Sequence, residues 1–505
     1  MDHYLAICEM EYNGLYIDTD VADKEENTLR DELVELNSEI LRVVASVWPS
    51  EIEFNPSSLD HISVVLFGGN INCRVEEDVL NEDGLTVIYK TGKRKGEVKT
   101  RLATAQKEVC GLVKSTRGLV KNKKGLFKTN TSILSELNHP LASLILKYRG
   151  VKKLITTYYY TEKLNKNNET ISTKGMLSLI HNNTGCVHSE FKTAYTSTGR
   201  LSSSSPNVQN IPKTVMNMFT SRFGADGVLI EFDYSQLEVR VQAQLAQSPN
   251  FIRDILDGVD FHCKRLSYVE NISYEETVRK CDTSSEWKEK RRKAKIISFQ
   301  KAYGASPQRI AREAELPLEK VETVFALEDE EYPEINKFYA KVLDEVQKSR
   351  YTVSKLMNFI DKRTGEVVTR EGENESYGKY KSPTGKMYTF KQYGVITRSD
   401  RPFRYFKMPD ILDYPVQGMA ADIVADRVGT VYRTLLPIRD KCKLVNEVHD
   451  SLIIDVKKAE AKDVIKMVVN ILQNLETDFK NKFNIKWNVP LTVDYAVGNS
   501  WAETK

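Results

Sequence analysis

The sequence predicts a mixed helix-and-sheet protein, an α/β chain of the α+β type. Helical periodicity dominates residues 251–350, whereas apolar segments rich in β-branched residues, at 228–232 and 444–454, indicate buried strands. A chain of 505 residues exceeds one ordinary hydrophobic core, so we expect two to four domains. A hydrophobic fraction of 41% and a charged fraction of 28% are typical of globular proteins.

The lack of a targeting signal and the cysteine usage predict a cytoplasmic protein. The N-terminus MDHYLAICEM lacks the basic start and apolar stretch of a secretory signal. No apolar run approaches the ~20 residues that span a bilayer, so no membrane partner is expected. The 7 cysteines are scattered without a C-x-x-C pair, which favours free thiols over a disulfide framework or structural zinc.

The first third of the chain contains two helical patterns separated by a basic segment. Leu29, Leu33, Leu36, Ile40 and Val44 recur at steps of three and four, and a second pattern runs from about 140 to 164. Between 90 and 128, thirteen Lys or Arg residues stand against two acids, so the segment carries +11 while the whole chain carries only +3. A polyanion such as nucleic acid is one explanation, and a solvated loop without a partner is another. Glycines in this segment predict an insertion containing a small hairpin.

The rest of the chain alternates turn-rich and regular segments. Residues 197–212 are polar and turn-rich, a buried strand follows at 227 and changes character at Asp233, and residues 351–410 predict loops. From Tyr414 onward we expect a helix, a hairpin at VNEVHDSLII and a final amphipathic helix near 458–482.

An acid lies at the tip of each of two predicted strands. Asp233 ends the apolar run of 228–232, and Asp450 interrupts the apolar run of 444–454. A hairpin turn at His449-Asp450-Ser451 explains the second pattern, and a strand-end Asp such as Asp233 often caps the next helix. Two strand-tip carboxylates that meet in space would instead bind a hard cation such as Mg²⁺. The spacing leaves both interpretations open.

A basic and aromatic face characterises the segment 291–304. Arg291, Lys295, Phe299 and Tyr303 are spaced by four and therefore share one slowly winding helical face, with two cations followed by two rings. A nucleoside triphosphate has the matching polarity, because cations hold its phosphates and rings stack on its base. A basic surface helix with two aromatic side chains in the core explains the pattern equally well.

These elements, in this order, resemble DNA polymerase family A, the DNA polymerase I-like family. The run DYSQLE at 233–238 is similar to its first palm motif, the pattern R-x-x-x-K-x-x-x-F-x-x-x-Y-G at 291–304 to its fingers helix, and His449-Asp450 to its last palm motif. Further similar segments are TGRLSS at 198–203, PNVQNIP at 206–212, YPVQGMAADI at 414–423, EYNGLYID at 11–18 and KYRG at 147–150.

The resemblance covers nearly the whole chain and implies a right-hand fold with an antiparallel-sheet palm, helical fingers and a helical thumb. The implied domains are a thumb region at 1–181 with a basic insertion at about 72–126, the palm at 182–250 and 405–505, and the fingers at 251–404. The insertion is similar to those of phage-type members, and a phage origin would place the protein in the cytoplasm of a bacterial host. It is a candidate for gripping duplex DNA or a processivity partner.

The implied function is template-directed DNA synthesis from a primer and deoxynucleoside triphosphates, in replication or repair, by two-metal phosphoryl transfer. The catalytic residues would be Asp233, Asp450 and Lys295. The metal ligands would be Asp233, the carbonyl of Tyr234 and Asp450, for two Mg²⁺ ions that Mn²⁺ can replace. Remote alternatives are a single-subunit RNA polymerase and an inactive DNA-binding relative. Glu238 argues against the first, and the intact catalytic residues argue against the second.

The resemblance also assigns binding roles. The nucleotide would contact Arg291, Lys295, Phe299, Tyr303, His262, Glu238 and Gln236. Glu238 would be the steric gate that excludes a ribose 2′-hydroxyl. The primer–template would contact Arg200, Asn207, Gln209, Asn210, Gln417 and His449, through minor-groove acceptors that are nearly the same for every base pair.

Several positions depart from the family pattern. Ser451 stands where Glu is usual, and we expect activity to persist because that carboxylate is not a principal metal ligand. Ser298 and Gln300 flank Phe299 where Asn and Gly are usual, which affects template positioning, and Phe299 in place of Tyr predicts poor use of dideoxynucleotides. Asp413 stands where Asn is frequent. We find no strand-end D-x-E motif in the first 180 residues, so we expect no intrinsic 3′–5′ exonuclease and a separate exonuclease or processivity subunit as a candidate partner.

Overall fold

The computed structural model describes residues 1–114, 118–164, 170–302, 304–354, 356–360, 367–371, 374–396 and 402–505. They form two compact units. The first, which we call the 18–180 unit, is continuous, and the second, the discontinuous unit, combines 1–17 with 181–505. The division into thumb, palm and fingers remains a prediction.

The helices are α1 (Asp2–Asn13), α2 (Thr19–Val44), α3 (Leu59–Phe67), α4 (Thr131–Glu136), α5 (Pro140–Tyr158), α6 (Leu237–Ala246), α7 (Pro249–Leu256), α8 (Phe261–Glu270), α9 (Tyr274–Thr283), α10 (Ser285–Ala302), α11 (Pro307–Ala314), α12 (Leu318–Glu331), α13 (Pro333–Lys348), α14 (Met408–Leu435), α15 (Ala461–Gln473) and α16 (Glu476–Phe483). The strands are β1 (Leu15–Tyr16), β2 (Gly69–Asp78), β3 (Thr100–Val109), β4 (Thr161–Leu164), β5 (Thr170–Lys174), β6 (Cys186–Val187), β7 (Glu190–Lys192), β8 (Ser202–Ser204), β9 (Gly227–Tyr234), β10 (Tyr351–Val353), β11 (Leu356–Ile360), β12 (Val367–Glu371), β13 (Glu375–Lys381), β14 (Met387–Ile396), β15 (Pro402–Phe406), β16 (Cys442–Val448), β17 (Ser451–Lys457) and β18 (Val493–Gly498).

The core of the 18–180 unit lies between α2 and α5. Asp18 caps α2 by accepting a hydrogen bond from the backbone of Val21 at 3.1 Å. Leu36, Ile40 and Val44 on α2 are buried in one apolar cluster with the inner face of α5, so the predicted helical stripe is confirmed. The second predicted helix is too long in the prediction: α5 ends at Tyr158, and strand β4 follows at Thr161–Leu164.

A four-stranded antiparallel sheet organises the discontinuous unit, in the order β16–β17–β9–β18. Every residue of β9 is buried except Asp233, as expected of a central strand whose C-terminal end lies where the strands of the sheet end. We call this end of the strands the edge that carries Asp233. Helix α1 packs against β16 and α14, where Asn13 donates its side-chain amide to the carbonyl of Leu444 at 2.9 Å. Residues 1–17 therefore complete the unit that contains the sheet.

The remainder of this unit confirms some predictions and corrects others. Helices α7–α13 confirm the helical character of 251–350. The loop prediction for 351–410 is wrong, because β10, β13, β14 and β15 form an antiparallel sheet. The helix expected from Tyr414 begins at Met408, and the final helix is two helices, α15 and α16. Among the residues that the structure describes, no helix is long and apolar enough to cross a membrane.

Candidate active site

Asp233 occupies the exposed end of β9. Its direct neighbours across the sheet are Ser451 on β17 and Asp494 on β18. Helix α6 begins only at Leu237, after Gln236 adopts a left-handed conformation with φ 54°. Asp233 therefore does not cap that helix, and its carboxylate remains available at the edge of the sheet.

Asp450 lies in the two-residue turn between β16 and β17, where Val448 pairs with Ser451. The predicted hairpin is confirmed. The first turn residue, His449, has φ 59°, which is the left-handed backbone that tight hairpins need at this position. The backbone N–H of Tyr234 donates to the carbonyl of Asp450 at 3.3 Å. The β17–β9 pairing therefore brings the two predicted metal ligands to the same edge.

The fold disfavours the ionised form of both carboxyl groups. Burial raises the pKa of Asp233 to about 6, and the negative charge of Asp450 adds to the effect. Burial also raises the pKa of Asp450, while the cations Arg200 and Lys505 act in the opposite direction. Paired acids with raised pKa values are a recognised signature of a catalytic or cation-binding site.

Lys505 and Asp494 are charged residues near this edge that the sequence patterns did not single out. Lys505 forms an ion pair with the buried carboxylate of Glu231. Its positive charge partly offsets the rise in the pKa of both Asp233 and Asp450. Asp494 accepts a hydrogen bond from the hydroxyl of Ser235 at 2.5 Å. Asp494 is paired directly with Asp233 and therefore lies on the same face of the sheet, and only strand register, which is non-local, reveals that they are neighbours.

Arg200 and Glu238 form an ion pair beside the acids. Glu238 lies in the first turn of α6, and Arg200 lies in the turn-rich segment of 197–212. Their pairing confirms that two predicted binding residues from distant parts of the chain come together. Both side chains are about one-quarter exposed, so the pair lines the surface of the site.

Gln417 on α14 connects a second pair of predicted elements. Its side-chain oxygen accepts a hydrogen bond from the hydroxyl of Thr198 at 2.6 Å, and its amide donates to Asp413 at 3.2 Å. Burial and the nearby charge of Glu238 raise the pKa of Asp413 to about 6. The α14 motif is thereby fixed to the 198–203 motif.

Three predicted triphosphate ligands, His262, Arg291 and Lys295, lie together on α8 and α10. Burial lowers the pKa of His262 to about 4, and the cations Arg291 and Lys295 contribute in the same direction. Asp260 caps α8 through the N–H groups of His262 and Cys263 at 2.8 and 3.0 Å. It also accepts two hydrogen bonds from Arg291, at 2.9 and 2.6 Å. Sequence reasoning missed Asp260, although an Asp before an amphipathic helix is a capping signal.

The aromatic half of this face lies outside what the structure describes. Tyr303 is not among the described residues, and Phe299 is described only as part of the backbone of α10. The predicted base and sugar pocket therefore remains a prediction.

The predicted DNA-contact residues differ in exposure. Asn210 and His449 are exposed. Gln209 is buried and donates its side-chain amide to the carbonyl of Glu447 at 2.9 Å. The side-chain oxygen of Asn207 accepts from the backbone of Gln209 at 3.1 Å. The last two side chains therefore support the loop and β16, and their contact with DNA remains a prediction.

Few side chains at the sheet edge that carries Asp233 and Asp450 could act as metal ligands. Among the residues that the structure describes, no group of three or more His, Cys, Asp or Glu side chains is arranged to hold a metal ion. Asp233 and Asp450 with a backbone carbonyl fit a hard cation that takes most of its ligands from water or substrate, which is the habit of Mg²⁺.

Comparisons with known proteins agree with this geometry. The family model described as DNA polymerase family A, which represents the sequences of that family, matches residues 99–503. DNA polymerase I of Caldicellulosiruptor bescii is 28% identical over 386 residues, 75% of this chain and 38% of that protein. The thermostable DNA polymerase I of Thermus aquaticus is 25% identical over 507 residues, 99% of this chain and 47% of that protein. The chain thus spans less than half the length of these relatives.

A solved structure has the same fold. It is the POL domain of Pol1 from M. smegmatis in complex with DNA primer-template and dNTP, with a TM-score of 0.64 and 19% identity, covering 100% of this chain and 70% of that one. The family match extends over most of the chain and includes both strand-tip acids and the α10 helix. This chain belongs to DNA polymerase family A.

Proposed function

We propose that the protein is a template-directed DNA polymerase that extends a primer 3′-end with deoxynucleoside triphosphates, in replication or repair. The observation that carries the proposal is the convergence of Asp233 and Asp450 at one edge of an antiparallel sheet, with raised pKa values, in a family A chain. Phosphoryl transfer requires that developing negative charge be stabilised, and this edge offers a cation site for that purpose.

Asp233, Asp450 and the carbonyl of Tyr234 would hold Mg²⁺, with two ions bound and Mn²⁺ as a substitute. Bound there, the metal would supply Lewis acidity that lowers the pKa of the primer 3′-hydroxyl and would offset charge on the transferred phosphoryl group. The donor set fits because all three ligands are oxygens, and because a cation relieves the repulsion between the two carboxylates.

His262, Arg291 and Lys295 would bind the triphosphate. The low pKa of His262 keeps its imidazole neutral near pH 7, so it would donate a single N–H to a phosphate oxygen while the two cations supply charge. Lys295 would also donate a proton to the leaving pyrophosphate. Asp260 would orient Arg291 through its two hydrogen bonds.

The sugar and base would be selected by Glu238, Gln236, Phe299 and Tyr303, with Glu238 occupying the space of a ribose 2′-hydroxyl. The ion pair with Arg200 restricts the rotamers of Glu238, which is what a steric gate requires. Arg200, Asn207, Gln209, Asn210, Gln417 and His449 would follow the primer–template minor groove. Accessory exonuclease or processivity subunits would act from other chains.

Primer extension tests the proposal. The wild type, supplied with a primed template, Mg²⁺ and deoxynucleotides, should extend the primer, and Asp233→Asn and Asp450→Asn should each abolish extension. Asp344→Asn is the matched control, because Asp344 is an exposed acid on α13 that pairs only with Lys348 in the described part of the chain. A wild type that fails to extend with either Mg²⁺ or Mn²⁺, or an Asp233→Asn variant that extends normally, would refute it.

A further inference from the structure

The basic insertion forms an exposed arm on the 18–180 unit. Its stem is the antiparallel pair β2–β3, which runs from the Gly69–Val109 pair to the Asp78–Thr100 pair. Ten residues per strand span about 30 Å. All residues from 76 to 99 are described, and none of them is buried. The arm beyond the start of the stem therefore has no core of its own, and its surface is available to a partner.

The arm ends in a fork. Three backbone hydrogen bonds join Val79, Val87 and Lys99 in a ring: Val79 N–H donates to Lys99 at 2.8 Å, Lys99 N–H to Val87 at 2.7 Å, and Val87 N–H to Val79 at 2.7 Å. Two short hairpins leave this ring, one over residues 80–86 and the other over 88–98. We call them the acidic prong and the basic prong. Because the ring is built from backbone groups, the fork does not depend on the side chains at the prong tips.

Charges are segregated between the two prongs. The acidic prong carries Glu82 and Asp83 at its turn, and the end of β2 carries three more acids, Glu76, Glu77 and Asp78. The turn of the basic prong has the sequence KTGKRKG, with four cations in the six residues from Lys90 to Lys95. Gly92 and Gly96 have φ 84° and 93°, so they supply the left-handed positions that close this tight turn.

The cations of the basic prong are available to a partner. Lys90, Lys93 and Lys95 are exposed and have no ion-pair partner in the described part of the chain, whereas Arg94 pairs with Glu97 at 2.7 Å. The other basic turn of the insertion is partly engaged: Lys124 pairs with Asp60 at 2.8 Å, and Lys121 lies over the ring of Phe127. Four of the cations of the 90–128 segment are thus exposed together on one prong.

We propose that the basic prong is a contact site for the phosphate backbone of duplex DNA, separate from the candidate active site. Like cations crowded into one exposed turn repel each other, and a regularly spaced polyanion relieves the repulsion while releasing its own counterions. Lys and Arg side chains on a turn reach phosphates without reading bases. The choice of DNA as the polyanion rests on the proposed polymerase function.

The test is binding of the whole protein to a blunt 30-base-pair duplex at several salt concentrations. The variant Lys90→Gln/Lys93→Gln/Arg94→Gln/Lys95→Gln removes up to four phosphate contacts, each worth about 0.9 in the slope of log K against log salt. We expect the slope to become less negative by up to about 3.6. The affinity deficit of the variant should then shrink by up to about 100-fold between 50 and 200 mM salt.

Two control variants match this one. Lys320→Gln/Lys337→Gln/Lys341→Gln/Lys348→Gln removes the same charge from exposed positions on α12 and α13 and should leave the slope nearly unchanged. Glu82→Gln/Asp83→Asn on the acidic prong should keep or raise affinity. Equal losses in the prong variant and the α12–α13 variant would make the effect one of net charge and overturn the proposal. An unchanged slope in the prong variant, with the wild-type melting temperature retained, would also overturn it.

Two further measurements separate the other outcomes. The first is binding of polyglutamate with the same number of charges as the duplex. If the wild type bound polyglutamate as tightly as duplex, and the prong variant lost that binding, the partner would be an acidic protein and the DNA assignment would be refuted. Primer extension by the wild type is measured in parallel. If it fails, the proposed function falls on that result alone, whereas the duplex-binding slopes still decide the role of the prong.

Discussion

At the scale of single residues, the candidate site is defined by groups whose ionisation the fold opposes. Asp233 and Asp450 are held side by side by strand pairing, and each is harder to ionise than a free Asp. His262 is harder to protonate than a free His because burial and three neighbouring cations, Arg265, Arg291 and Lys295, act together. Such perturbed pKa values are typical of sites that bind a ligand of complementary charge, which would be a cation for the acids and a polyphosphate for the cations.

The pKa of Asp233 gives a stability prediction for the metal-free protein. Its folded value of about 6 lies above the ~3.9 of an unfolded chain. Above pH 6 the ionised carboxylate therefore disfavours the folded state, and below about pH 4 the effect vanishes because Asp233 is protonated in both states. Asp233→Asn should raise the denaturant midpoint in EDTA at pH 8, and the gain should shrink as the pH falls through 6. A gain that grows toward acid would contradict the assignment.

The imidazole of His262 should respond to nucleotide. In the free protein its pKa is about 4, so the folded state resists protonation and loses stability as the pH falls below about 6.5. A bound triphosphate would reverse the local charge and raise the pKa of His262 toward that of a free histidine. Nuclear magnetic resonance titration of labelled histidines, with His262→Gln for assignment, measures this. His61 is the control, since burial lowers its pKa too, but it lies in the 18–180 unit and should not move.

At the scale of elements, the turn of the β16–β17 hairpin contains a strained residue, His449, next to Asp450. His449 holds φ 59° at a turn position that glycine adopts without strain, and a side chain there costs on the order of 1 kcal/mol. His449→Gly should therefore stabilise the protein by about 0.5–1 kcal/mol while primer extension falls, because the imidazole beside Asp450 is lost. Denaturant unfolding and extension rates measure the two effects.

Glu315→Gly provides the comparison for the hairpin. Glu315 ends α11 with φ 54°, and its ion pair with Lys293 is exposed, so glycine should give a similar gain in stability without loss of extension. If His449→Gly retained full activity, the imidazole would have no role in the reaction.

The capping residue of α8 would connect helix stability to the proposed nucleotide binding. Asp260→Asn keeps a good N-cap but loses the ion pair that orients Arg291. Stability should hardly change, while KM for the deoxynucleotide rises by up to roughly tenfold, since ordering a free arginine side chain costs about 1.5–2 kcal/mol. Asp260→Ala should add the loss of a cap, about 1 kcal/mol. Ser273→Ala removes the equivalent cap of α9 and should lower stability alone; a matching rise in KM would show that the effect is general.

The sequence predicted elements well where the pattern is local and poorly where partners are distant. The stripe on α2 and the apolar run of β9 depend only on neighbours in the chain, and both are confirmed. The strands between 351 and 406 were missed because Gly, Lys and Tyr dominate there, although ESYGKYK alternates buried and less buried positions as a strand should. Capping by Asp260 was readable from sequence. The Asp233–Asp494 register was not, because pairing across a sheet is set by tertiary structure.

At the scale of the whole molecule, two units with separate cores share one chain. The apolar cluster between α2 and α5 lies entirely within the 18–180 unit. The sheet that carries Asp233 and Asp450 lies in the discontinuous unit, whose first 17 residues precede the other unit in sequence. Residues 1–17 are tied to this unit by polar contacts as well as packing, since Arg222 donates to the carbonyls of Asn13 and Gly14 at 2.9 and 2.7 Å. One insertion in sequence thus separates two parts of a single folded unit.

We expect the two units to respond separately to core substitutions. Ile145 in the 18–180 unit and Ile423 in the discontinuous unit are both fully buried, so each change to alanine should lower the free energy of unfolding by about 2–5 kcal/mol. Trp48 lies in the first unit, and the chain's other three tryptophans lie in the second. Denaturant unfolding is followed by tryptophan fluorescence. In a Trp48→Phe background the fluorescence reports only on the discontinuous unit. Ile145→Ala should shift only the Trp48 transition, and Ile423→Ala only the other, because separate cores unfold as separate cooperative units. If either substitution moved both transitions equally, the chain would be one cooperative unit, and stability at the active-site sheet would depend on the insertion as a whole.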